Sequence, residues 1–252
     1  MLDKNKTGRP IVILAPMDCE CNVIKETLEN KKDIQCGNAL ITEGEYRGHP
    51  VVVLRTLIGM VNITHATTVA IERYDPYCII LQGTSGGHNP ELHTGDIILG
   101  SELLEMFGYI TPRIPLGEGS FPEKWEYPGA EMTIDGEFTR ARVLHSDEGL
   151  VELALTLDNP NGILRRGRIA CGDGWNRELD VIERYHERFG TDCEEMEGYS
   201  VSQVCTARGV PMIDIRVISN SEWHTKEHFS VKSAENCQRF ALALVDKLLE
   251  TK

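Results

Sequence analysis

Carboxylates crowd one short stretch of this chain. The run CEEMEGYSVSQVCTARGV, residues 193–210, places Glu194, Glu195 and Glu197 around Met196 and then opens a helix. Adjacent carboxylates repel, and each costs several kcal/mol if buried without a partner. The run is therefore a poor strand interior, and reads as a strand-to-helix junction, where α/β folds build ligand crevices. Its competing reading is an exposed acidic turn. A second group of polar residues, Gly83-Thr84-Ser85-Gly86-Gly87, follows the buried-strand run at 78–81. Glycines there let a backbone approach a ligand, and exposed N–H groups with two hydroxyls make a polar cradle; a plain tight turn is the alternative. The loop matches neither GxxxxGK[ST] nor GxGxxG, which removes the main support for nucleoside triphosphates and dinucleotides. Asp18 and Glu20 follow the apolar run PIVILAP. Asp18 suits a helix N-cap, near the positive end of the helix dipole. Trp175, just after Gly172-Asp173-Gly174, is as good a ligand wall as a core plug.

The elements that must carry these groups alternate along the chain. Residues 10–16 predict a central strand and 18–30 a helix; ALITEGEYRG and HPVVVLRTLIG predict a hairpin. MVNITHATTVAIERY predicts a helix with Ala66, Val69, Ala70 and Ile71 inward, and residues 96–100 another strand. From 106 to 147 the pattern dissolves into Pro, Gly and aromatics, and so long an irregular loop is expected to border a site or an interface. A helix from DEGLVELALTLDN, a strand–turn–helix across 165–189, the strand PMIDIRVIS and a helix over about 231–250 complete the chain. The expectation is a single domain over 1–252.

Composition narrows the function classes. The 252 residues are 41% hydrophobic, enough for a substantial core, and the formal net charge of −13 argues against nucleic acid or anionic membrane as partner. No run approaches the roughly 18 apolar residues of a membrane span. The opening MLDKNKTGRP, with Lys4 and Lys6, lacks the apolar core of a signal peptide. Eight cysteines without CxxC spacing read as reduced thiols in a cytoplasmic protein, and neither they nor SEWHTKEHF supplies a metal-ligand spacing. No cofactor and no metal are expected.

In order, APMDCE, GTSGG, GDGW, EEMEG and RVISN resemble the nucleoside phosphorylase/nucleosidase superfamily, and most of all its methylthioadenosine/S-adenosylhomocysteine nucleosidases. The resemblance spans residues 10–250 and is most specific at GTSGG and EEMEG. It implies a three-layer α/β/α sandwich around a mixed, partly barrel-like sheet, usually a homodimer, acting on purine nucleosides in salvage. By the same resemblance Glu20 activates the attacking water. Met196 and Glu197, with Glu195 beside them, bind the ribose, and Thr84, Ser85 and Gly86 lie beneath it. Trp175 packs against the base and the Asn176 backbone meets the purine edge.

Two departures set the sub-branch. Phosphorylases of this superfamily hold phosphate with arginines shortly after the first strand and before the glycine run; here those places carry Glu20 and Leu81. A glutamate repels phosphate and suits water, which implies hydrolysis. Where the nucleosidases carry an aspartic acid that protonates purine N7, this chain has Asn220. An amide delivers no proton, but it fits a 6-oxopurine, donating to O6 and accepting from N7–H. The substrates implied are thus of futalosine or inosine type, with an adenine base still open. A phosphorylase drawing on Arg55 or a neighbouring subunit, and a silent nucleoside-binding protein, are the competing functions. Trp223 and His224 could reach a 5′ substituent or sit on the surface.

Overall fold

The computed structural model describes residues 8–224 and 226–250, so Lys4 and Lys6 lie outside the described residues. The first strand decides the layering. β1 (Ile11–Ala15) is buried at every position. Its side chains alternate between two faces, as strand geometry requires.

The remaining elements follow in chain order. A 3-10 turn at Asp18–Glu20 leads to α1 (Asn22–Thr27), then β2 (Glu29–Cys36), β3 (Ala39–Tyr46) and β4 (His49–Arg55). After α2 (Met60–Tyr74) come β5 (Cys78–Gly87) and β6 (Ile97–Glu105). β7 (Ala130–Ile134), β8 (Glu137–Ala141) and β9 (Val143–His145) precede α3 (Glu148–Leu155). β10 (Leu164–Cys171), α4 (Leu179–Phe189), β11 (Cys193–Glu195), α5 (Gly198–Arg208), β12 (Met212–Ser221) and α6 (Val231–Glu250) complete the chain.

β1 pairs in parallel with β4 and β5, and β3 and β2 extend the β4 side as antiparallel strands. On the other side β5 runs parallel to β12, β12 antiparallel to β6, and β6 parallel to β10. β10 then pairs with β11, and β11 returns to β5 through Cys193 opposite Gly87 and Glu194 opposite Gly86. Five strands thereby close on themselves, so the mixed sheet is part barrel. Ile11 and Ile13 pack with Ile24 of α1, Leu150 and Val151 of α3, and Phe240, Leu244 and Val245 of α6. Val12 and Leu14 pack with Ile63, Ala66 and Ala70 of α2 and Val201 and Cys205 of α5. Helices thus cover both faces. Among the described residues no helix is long and apolar enough to cross a membrane.

Four local expectations need correction. Asp18 caps no helix: Cys21 holds the N-cap place of α1, and Asp18 Oδ1 lies 3.4 Å from Arg55 Nε instead. The helix from residue 18 is short because the chain turns at Leu28 into β2, a charged, mostly exposed edge strand whose side chains carry no apolar alternation. The GTSGG run is strand rather than turn, since β12 offers partners as far as Gly87. The 106–147 segment is partly ordered, with β7 and β8 forming a hairpin and β9 adding to β6.

Candidate active site

The ends of β1, β5, β10, β11 and β12 converge on one cavity of about 330 Å³. Its lining includes Glu20, Thr84, Ser85, Gly86, Trp175, Glu195, Met196, Glu197 and Asn220, so nine of the ten sequence-derived site residues share it. Asn176 is absent from the lining.

Glu20 is 1% exposed and anchored at both oxygens. Its Oε1 accepts from the Thr84 backbone N–H at 2.7 Å and the Thr84 hydroxyl at 2.8 Å, and its Oε2 accepts from Met17 N–H at 3.0 Å. A Cβ on Gly83 would stand 2.8 Å from Glu20 Oε1, so only glycine lets β5 pass this close. Burial pushes the Glu20 carboxyl above the usual carboxylate range, and the Thr84 N–H and Arg216 oppose it. Perturbation of this kind in a cavity is common where carboxyls do chemistry.

Arg216 stands beside Glu20, since the Gly83 position that faces Glu20 Oε1 also faces Arg216 Nη1, and the sequence reading passed over it. Its guanidinium is 1% exposed, with Nη2 2.6 Å from Glu195 Oε2, Nη1 3.3 Å from Glu197 Oε2 and Nε 2.7 Å from Asp214 Oδ1. The signal was present: a single cation in the buried run MIDIRVIS needs anions, and Asp214 two residues away lies on the same face. Burial disfavours the guanidinium charge, but the three carboxylates outweigh it and hold its pKa above the ordinary value. Burial likewise pushes Asp214 up to about 6 and Glu197 up to about 7, with Arg216 opposing in each case.

The carboxylates of the acidic run divide their work. Glu195 accepts from the Glu197 N–H at 2.7 Å and the Gly198 N–H at 2.9 Å, which satisfies the first backbone donors of α5 and, with Arg216, fixes the junction. Glu197 Oε1 accepts from Gly59 N–H at 2.9 Å, tying the run to the start of α2. Glu194 Oε1 accepts from Asn176 N–H at 2.7 Å, so that N–H is already engaged, and Asn176 Nδ2 donates to Glu194 Oε2.

At the far end Asn220 is 9% exposed and its Oδ1 accepts from the Ser219 hydroxyl at 3.0 Å. That leaves its NH₂ to face the cavity beside Gly86. Trp175, 61% exposed, forms a wall at the mouth with Phe229, Ile58 and Met17. Ile58 and Phe229 lie outside any motif and offered the sequence reading nothing to find. Trp223 and His224 do not line the cavity: the Trp223 indole donates to His88 O at 2.8 Å and His224 stacks on His93 at 4.1 Å between ring centres. Arg55 is likewise outside the lining and faces Asp18.

Chemically, the cavity gathers the buried Glu20 carboxyl, the Glu195 and Glu197 carboxyls on Arg216, and the Asn220 amide. Arg216 is the one cation among its lining residues, and three carboxylates already surround it. An incoming phosphate would meet more negative than positive charge.

The family model of the phosphorylase superfamily matches residues 10–250. The chain is 31% identical over 249 residues to an aminodeoxyfutalosine nucleosidase of Campylobacter jejuni, covering 94% of this chain and 99% of that one. It is 28% identical over 251 residues to a 5′-methylthioadenosine/S-adenosylhomocysteine nucleosidase of Tolumonas auensis, again covering 94% and 99%. Among solved structures it is similar to a mutant nucleosidase of Helicobacter pylori with 5′-methylthioadenosine in its active site. That match has TM-score 0.77 and 25% identity, with 96% of this chain and 100% of that one covered.

Proposed function

The chain belongs to the phosphorylase superfamily and is an N-glycosidic-bond hydrolase of its nucleosidase branch, and from that premise we propose that it cleaves 6-oxopurine nucleosides with water. The observation that carries the reading is the pairing of a buried, hydrogen-bonded Glu20 with an Asn220 whose NH₂ is the group left for the base. Glu20 takes a proton from the attacking water. Glu197 accepts from the ribose 2′- and 3′-hydroxyls and, with Glu195 behind it, stabilises the positive charge that grows on the sugar. Met196 and the Thr84–Gly86 strand bound the ribose, and Trp175 covers the base. Asn220 donates to O6, and the second lone pair of its Oδ1 accepts from N7–H once solvent has protonated N7. The bond from C1′ to N9 breaks, the water oxygen joins C1′, and a neutral purine leaves.

The charge balance around Arg216 supports water over phosphate as the nucleophile. The test is product release from inosine, futalosine, adenosine and methylthioadenosine, each with and without phosphate. We expect hypoxanthine release at a rate indifferent to phosphate. Ribose 1-phosphate formed only with phosphate would replace this reading with phosphorolysis, and adenine release alone would overturn the base assignment.

The acid limb of the pH profile follows from Glu197. A pKa raised to about 7 means the carboxyl gains its proton as pH falls through neutrality and loses the charge that grips the ribose hydroxyls and faces the growing positive charge. kcat/KM is expected to drop about tenfold between about pH 8 and about pH 6, as a single ionisation near 7 dictates. A flat profile across that window would separate Glu197 from the rate.

The expected homodimer is supported by the exposed apolar residues Leu57, Ile58 and Val61, of which Ile58 also lines the cavity. Eight free cysteines suit a reducing cytoplasm.

A further inference from the structure

Glu194 is the one lining carboxylate to which the mechanism gives no work. It is 8% exposed, comes from β11, and its Oε2 lies 3.1 Å from Nε2 of the buried His88, whose Nδ1 lies 2.8 Å from the Thr191 hydroxyl. A carboxylate is costly to bury, and a surface contact would not require it. Its place is informative. A Cβ built on Gly86 would find Asn220 Nδ2 at 3.5 Å and the Glu194 Cγ and Oε1 at 3.7 and 3.9 Å. Gly86, having none, leaves open a space that an amide donor and a carboxylate acceptor both border.

We propose that Glu194 reads the base, its Oε1 accepting from the ring N1–H of a 6-oxopurine while Asn220 donates to the adjacent O6. The assignment rests on the 6-oxopurine reading above and adds a second residue to it. An ionised carboxylate accepts at about four lone-pair sites. Asn176 takes one on each oxygen and His88 stands against Oε2. Oε1, the oxygen beside Gly86, keeps a free site. The two partners must stand close together, because O6 and N1–H are neighbours on the ring. Both Asn220 Nδ2 and Glu194 Oε1 lie within 4 Å of the one point at Gly86.

Adenine presents the reverse pattern. Its N1 is an acceptor and would face the carboxylate, and its 6-amino group is a donor and would face the Asn220 NH₂. Two mismatched polar contacts in a desolvated site select strongly against it. Asn176 holds Glu194 through both oxygens and thereby sets the carboxylate's orientation. Its role is positioning.

Equilibrium binding of free bases by calorimetry tests this without depending on the 5′ substituent. The wild-type protein is expected to bind hypoxanthine about 10- to 150-fold more tightly than 1-methylhypoxanthine, the span for one hydrogen bond to a charged group. Glu194→Gln can turn an NH₂ toward the ring, and it should weaken hypoxanthine and strengthen adenine, narrowing or reversing their ratio. A residue that merely walls the site would weaken both bases alike. Equal binding of hypoxanthine and its 1-methyl derivative by the wild-type protein would overturn the assignment while leaving the 6-oxopurine reading intact. Adenine bound more tightly than hypoxanthine by the wild-type protein would overturn that reading, and this assignment with it. Binding of no base would remove Glu194 from base recognition. The wild-type comparison stands even if the variant fails to fold.

Discussion

Replacing Glu20 by glutamine lowers kcat by about 100- to 10,000-fold, the usual contribution of a positioned general base. The amide can keep its oxygen on the Thr84 N–H and hydroxyl, which hold Oε1 now. Its NH₂ then faces the Met17 N–H in place of Oε2, a donor against a donor. The cost is offset, because burial already disfavours the charged form of Glu20 and the amide carries no charge. The fold and the base site, which Glu20 does not touch, should therefore survive. Affinity for free hypoxanthine is expected to stay within a few-fold of wild type while turnover collapses. That split separates loss of water activation from general damage to the cavity. Unchanged turnover would reject the role, and joint loss of turnover and base affinity would make Glu20 a structural residue.

How far the sequence reached can be argued from the same residues. Glu20, Thr84, Glu197 and Asn220 were legible because the motifs APMDCE, GTSGG, EEMEG and RVISN that carry the resemblance hold them, each near or just past the end of a strand. Arg216 was less visible for a different reason. Its carboxylate partners come from its own strand and from β11, and only the closed five-strand ring brings the two together. Glu194 was counted as part of an acidic run, yet it faces His88 and Asn176 while Glu195 and Glu197 face Arg216. Local spacing cannot show that one run of carboxylates serves two ends of a cavity. The strand character of Thr84–Gly87 was hidden by its glycines, whose local preference is turn, until β12 and β11 supplied ladder partners. β2 was missed because an edge strand with both faces wet carries no apolar alternation.

Asn220→Asp should open the enzyme to adenine nucleosides. Asn220 Oδ1 accepts from the Ser219 hydroxyl, and the substitution leaves that oxygen in place while the NH₂ becomes a second oxygen beside Gly86. A carboxyl at this depth, facing Glu194, is pushed toward its protonated form by burial and by like charge. A protonated carboxyl supplies what the amide lacks, a proton for purine N7, and general acid catalysis of that kind is worth about 100- to 10,000-fold. Adenosine or methylthioadenosine turnover is expected to rise over that range, measured as adenine release. Inosine turnover is expected to fall, because the carboxyl's single proton cannot both reach N7 and hold O6. Glu194 still opposes adenine N1 in this variant, so the gain should be incomplete. Adding Glu194→Gln removes the second mismatch, and because both residues flank one gap their effects should exceed the sum of the single changes in free energy. Strict additivity would mean that the two side chains do not read the same base. An unchanged adenosine rate in Asn220→Asp would place the limit on adenine nucleosides outside the base end of the cavity.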